Sequence, residues 1–374
     1  MRIFKLTALF TSILLSSFIC SAQNILIADN NPGAVAVPGA VFTGATALTD
    51  AIAAAVDDDI IHVTRSTTNY GTVTVDKRLN IFGIGLFPDT DGGSRSKATQ
   101  VDISDPAASG TRISGLVITS VLNLGGAAGL LEDLLIENGE ILRIQHASGS
   151  TTLNNIIIRN NILGSNIGAV TDETIDLLAG LVSNVIIANN IIYGTRRTIP
   201  GGAISDATVT TDQSTLENNI FVHLTTGGTP FWYAFEELTN SVVKNNIFLG
   251  MAPQGFTTLS NNTFENNITF NTGSDVFSTG SGNTSSGNIE GVDPMLEKVS
   301  LSNSPGSLTT FNPALKVGSP GIGMGTLGTD MGVHGGPIPF NLEGTLIPTI
   351  QELDVPSMVV EGNTLDIHIK AKGN

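Results

Sequence analysis

Between residues 134 and 290 one pattern returns again and again: a short apolar run, a pair of asparagines, a second short apolar run. It is seen in Ile156-Ile157-Ile158-Arg159-Asn160-Asn161-Ile162-Leu163 and in Val185-Ile186-Ile187-Ala188-Asn189-Asn190-Ile191-Ile192. It recurs in Leu216-Glu217-Asn218-Asn219-Ile220-Phe221, Val243-Lys244-Asn245-Asn246-Ile247-Phe248 and Phe264-Glu265-Asn266-Asn267-Ile268. The first Asn of each pair falls at 160, 189, 218, 245 and 266, in steps of 29, 29, 27 and 21. Asn138 and Asn288 extend the series by 22 residues at either end. Runs of four to six Ile, Val and Phe predict short strands. Asn tolerates the left-handed backbone of a sharp bend. Equivalent Asn side chains one strand spacing apart, about 4.8 Å, can bond along a common axis. We therefore expect a turn ladder of Asn138, Asn160, Asn189, Asn218, Asn245, Asn266 and Asn288. A fixed bend with variable loops predicts parallel coils of 21 to 29 residues wound into a solenoid. An antiparallel sandwich would place hairpins at these sites, and hairpins favour Asn-Gly over Asn-Asn.

The flanks fit a solenoid that needs covered ends. Leu48, Ile52 and Val56 follow helical spacing, with Thr46 or Thr49 as N-cap, so a capping helix is expected at about 45–57. Strand-like Ile60–Val63 and Thr72–Val75 come next. The expected organisation is a signal peptide at 1–22, a β-helix over 23–344 and a short C-terminal β tail at 345–374. The last segment is too short to hold a core of its own.

The start of the chain adds a destination. Arg2 and Lys5 precede an apolar stretch from Leu6 to Ile19, and Cys20-Ser21-Ala22 offers small residues for cleavage. The expected localisation is export, to the cell surface, the extracellular space or a periplasm. Cleavage after Ala22 removes two basic residues, taking the net charge from −16 to −18, and removes the single Cys. Disulfides are then excluded. Lipidation at Cys20 is the rival reading, disfavoured by the bulky Ile19 before it. The acidity argues against a nucleic-acid partner. No apolar run is long enough to predict a membrane span, and a monomer is expected.

Two stretches carry a resemblance. Ala51-Ile52 through Asp59-Ile60-Ile61-His62-Val63, followed by Val75-Asp76-Lys77-Arg78-Leu79-Asn80-Ile81-Phe82-Gly83-Ile84-Gly85, resembles the opening of secreted bacterial right-handed parallel β-helix proteins of the pectate-lyase-like superfamily. Gly291-Val292-Asp293-Pro294, Gly318-Ser319-Pro320-Gly321-Ile322-Gly323-Met324-Gly325 and Thr329-Asp330-Met331-Gly332-Val333-His334-Gly335-Gly336-Pro337 resemble their closing segments. The resemblance covers about residues 40–340. It implies an all-β fold, a single right-handed parallel β-helix with an N-terminal capping helix. For function it implies polysaccharide binding or processing on an elongated groove, or else a non-catalytic surface, structural or adhesive role.

The residues narrow the chemistry only partly. A lyase needs a base and a cation. Arg143, Arg196 and Arg197 are the candidates for the base, since the resemblance implies an Arg or Lys there. It also allows calcium on the acid group, with no cofactor strictly required; Asp172, Glu173 and Asp176 are among the oxygen ligands available. A hydrolase needs two carboxyl groups at a set separation, and Asp176, Asp206 and Glu236 recur on one expected strand stack. An Asp-Asp pair followed by Gly-His-Gly is missing. If the chain is an enzyme, it is a polysaccharide lyase or a glycoside hydrolase. Trp232 and Tyr233 are candidates for stacking against sugar rings. The five His residues show no metal spacing.

Overall fold

The computed structural model describes residues 23–86, 94–147, 150–164, 174–177, 182–193, 204–206, 214–223, 233–277, 279–299, 311–342, 349–354 and 368–372. The expected signal peptide at 1–22 lies outside them. Among the described residues the protein is all-β with one α-helix, Ala47–Ala54. Two long sheets, of thirteen and fourteen strands, contain parallel pairings throughout. The arrangement is consistent with a parallel β-helix.

Each coil visits three strand stacks in turn. Leu135–Glu137 belongs to the first, Glu140–Ile141 to the second and Ile144–His146 to the third; Thr151–Arg159 then returns to the first. Val117–Leu124 runs through both the second and third stacks, which joins them into one sheet. The core follows from strand alternation. On the first stack Leu26, Ile61, Ile81, Ile113, Ile136, Ile158, Ile187, Leu216, Val243 and Phe264 lie in register and all are buried. The row ends at Ser285, which is exposed. Toward that end the filling becomes aromatic. Phe221 and Phe248 stack with ring centres 4.7 Å apart, and Phe235 and Phe277 meet Phe248 edge-on.

The two asparagines of each pair divide the work. The first takes the left-handed conformation: Asn138, Asn160, Asn189, Asn218, Asn245 and Asn266 have φ between 51° and 58°. The second makes the amide ladder. Asn161, Asn190, Asn219, Asn246 and Asn267 are fully buried. Each Nδ2 donates to the Oδ1 of the next, ending on Asn288, at 2.9 to 3.1 Å. Each also donates to a strand carbonyl, as Asn219 does to Ile187 at 2.8 Å. This corrects the expected ladder. The bonding amides are those of the second Asn, and only Asn288 of the expected set lies on that row. At its coil Gly287, with φ 63°, supplies the bend.

The start of the solenoid is covered by the helix, which buries Ala47, Leu48, Ala51 and Ile52, while Val56 stays exposed. Thr46 makes no cap bond; its hydroxyl donates to Asp50 instead. Lys77 Nζ donates to the carbonyls of Ile52 and Ala55, the favoured place for a cation at a helix C-terminus. The C-terminal tail contains an antiparallel pair, Thr349–Asp354 with His368–Lys372.

Candidate functional site

The outer surfaces of the three stacks differ, and the differences select one of them. On the second stack the outward row is Ile162, Ile191, Ile220, Ile247 and Ile268, in register and entirely buried. The closing segment covers it, with Met331, Val333 and Phe340 packed against these residues. The first asparagines fasten that segment. Asn189 Nδ2 donates to the carbonyls of Val333 and Gly335 at 2.9 and 2.8 Å. Asn218 Nδ2 donates to those of Asp330 and Gly332 at 3.3 and 3.2 Å. Asn245 Oδ1 accepts from the Thr326 amide at 2.9 Å. The closing segment is thus a lateral clasp. Its glycines are required by contact: a Cβ on Gly335 would lie 2.0 Å from the Asp330 carbonyl oxygen and 2.2 Å from Asn218 Nδ2.

The first stack carries ion pairs on its outer side. Glu137, 2% exposed, accepts from Arg112 Nε at 2.9 Å and Arg159 Nε at 2.8 Å. Lys244 pairs with Glu217 at 3.0 Å. These cations are engaged within the protein, so this surface offers no free cationic strip among the described residues.

The third stack presents the polar row. Asp102, Asn123, Gln145 and Asp176 lie in register on successive coils, all half-buried and facing outward. Asp102 accepts from Gln100 Nε2 at 2.8 and 3.0 Å and from Asn123 Nδ2 at 2.6 Å. Arg143 Nη2 donates to Asp176 at 2.6 Å. Between these bonded groups the Gln145 side chain makes no hydrogen bond among the described residues. The row therefore offers an amide with both donors and its oxygen open, flanked by carboxylate and amide oxygens, at one position per coil.

Of the residues singled out from sequence, the structure brings Arg143 and Asp176 together. Asp206 and Glu236 belong to neighbouring strands of the same stack, but not to this row. Asp176 is in register with Ser205, and Ser205 with Glu237, while Asp206 lies opposite Leu177. The pairing shifts by a residue between Ile204 and Ser205, and such a slip exchanges one set of strand positions for the other. Tyr233 is half-buried at the start of its strand, and Phe235 is wholly inside. Trp232, Arg196 and Arg197 lie outside the described residues, as do Asp172 and Glu173. Among the described residues no three His, Cys, Asp or Glu side chains gather to hold a metal ion, and no helix is long and apolar enough to cross a membrane. Sequence reading missed Asp102 and Asn123, because coils before residue 134 lack the asparagine markers that set the register later, and Gln145, because a single neutral amide does not stand out by type.

Comparison with protein-family models finds no match, and comparison with curated proteins finds none either.

Proposed function

We propose that the chain is an exported, single right-handed parallel β-helix protein, built like the pectate-lyase-like proteins it resembles, that binds or processes polysaccharide along the outer face of its third stack. The observation that carries this reading is the row Asp102, Asn123, Gln145 and Asp176. Successive positions are one strand spacing apart, about 4.8 Å, which suits a ligand that is itself a linear repeat of hydrogen-bonding units. The other two outer surfaces are taken up by the clasp and by internal ion pairs. Tyr233, half-buried at the start of a strand two coils beyond Asp176, would supply stacking surface on the same stack.

A second reading, a non-catalytic surface or adhesive protein, is favoured by the Arg143–Asp176 pair, since the best-placed base and acid candidates are bonded to each other. The test is a polysaccharide panel, acidic and neutral, with and without calcium. Retention is followed together with absorbance of unsaturated uronates and release of reducing ends. Retention on at least one polymer is expected. Unsaturated product identifies a lyase, and reducing ends alone identify a hydrolase. Retention with neither supports the non-catalytic reading. No retention on any polymer refutes the proposal.

A further inference from the structure

We infer that the ligand of the third-stack row is a neutral, hydroxyl-rich polysaccharide and not a polyuronate; this rests on the polysaccharide reading above. The row holds two carboxylates, Asp102 and Asp176, and two amides, Asn123 and Gln145. Carboxylate oxygens are acceptors only, so they call for donors from the ligand, and sugar hydroxyls are donors. A polyuronate brings a carboxylate on every unit, which would stand one strand spacing or less from Asp102 or Asp176. Like charges at that distance repel, and the more so on a half-buried surface.

The cation beside the row is committed within the protein, and so are four others. Arg143, the described cation closest to the row in sequence and register, is paired with Asp176. Arg95, Arg112, Arg159 and Lys244 are paired with Glu140, Glu137, Glu137 and Glu217. The whole chain carries −16, which lowers the local concentration of any polyanion. Gln145 is the group left to recognise a neutral ligand, because its amide both donates and accepts and is not bonded to its neighbours. A hydroxyl can serve either end of it, whereas a carboxylate can serve only the donors.

The test uses the full chain and two sets of immobilised polymers. The neutral set is cellulose, xylan and mannan; the acidic set is polygalacturonate and alginate, each run with chelator and with added calcium. Retention on a neutral polymer is expected, changing less than about twofold between about 20 and 500 mM NaCl, because no charge pair would be screened. Gln145→Ala, whose side chain bonds nothing in the fold, should melt like the parent and lose at least about tenfold in affinity, the size of one good hydrogen bond to a ligand. Binding to acidic polymers alone, with or without calcium, overturns the neutral-ligand inference while leaving the polysaccharide reading in place. Neutral binding untouched by Gln145→Ala overturns the assignment to this row. Absence of retention on both sets removes the polysaccharide reading itself.

Discussion

Asn219 sits at the middle of the buried amide ladder, and its removal should be costly in a calculable way. Its Nδ2 donates to Ile187 O at 2.8 Å and to Asn246 Oδ1 at 3.0 Å. Its Oδ1 accepts from the backbone and side-chain nitrogens of Asn190 at 3.0 and 3.1 Å. Asn219→Ala breaks all four bonds and leaves their partners in a place water does not reach, since Asn219 and Asn190 are both 0% exposed. At about 1 kcal/mol for each buried bond lost, the cost is about 4 kcal/mol. Asn288, at the end of the same ladder, provides the comparison. It also makes four side-chain bonds, with Asn267 N, Asn267 Nδ2, Phe264 O and Ser285 Oγ. It is only half-buried, however, so water replaces what Asn288→Ala removes and the cost should be about 1 kcal/mol. Urea unfolding followed by circular dichroism measures both. Equal losses for the two variants, or a loss below about 1 kcal/mol for Asn219→Ala, would refute the argument that burial and not bond number sets the strength of the ladder.

Two further outcomes follow from other parts of the fold. Gly335→Ala places a methyl group against the Asp330 carbonyl and Asn218 Nδ2. It should loosen the clasp at a cost of about 1–3 kcal/mol, read as faster proteolytic cleavage within 318–340 while the coils remain protected. His62, half-buried edge-on to Phe82, has its pKa held below the usual 6.5 by burial. The unfolded chain therefore binds its proton more tightly. Its contribution to stability is complete above 6.5 and is lost as pH falls through the lower folded value. His62→Gln should flatten that part of the melting-temperature profile, and an unchanged slope would refute the assignment.

The coil spacing was legible from the asparagines. Their steps of 29, 29, 27 and 21 recur as the separations of the bonded ladder residues. Which Asn of a pair bends and which bonds was not legible from spacing, because both positions repeat identically. The signal lay at the last coil, where Gly287 precedes Asn288: glycine in the first slot marks the left-handed position. The closing motif was visible as a motif, but not as a clasp along the side. Its bonded asparagine partners are 60 to 146 residues away in sequence, and nothing local points to an outward isoleucine row. The candidate site was legible in part. Arg143 and Asp176 stand out by type, but Asp206 misses the row because its neighbour Ser205 is the residue paired with Asp176, and Glu236 because the shift at Ser205 brings Glu237 into register; variable loop lengths leave no periodic trace of either.

The clasp also orders events in time. Each coil needs only the one before it and closes contacts 20 to 35 residues apart, so coils can form successively as a chain is delivered from its N-terminus. The clasp bonds join residues separated by 81, 112 and 146 positions. Until residue 340 arrives, the coils that carry Ile162, Ile191, Ile220, Ile247 and Ile268 hold these side chains bare on one flank, and the growing solenoid displays a greasy seam there. Such seams are where nascent chains adhere to one another. The closing segment thus converts a sticky intermediate into a finished surface, and the coils become safe from their neighbours only once Phe340 is in place.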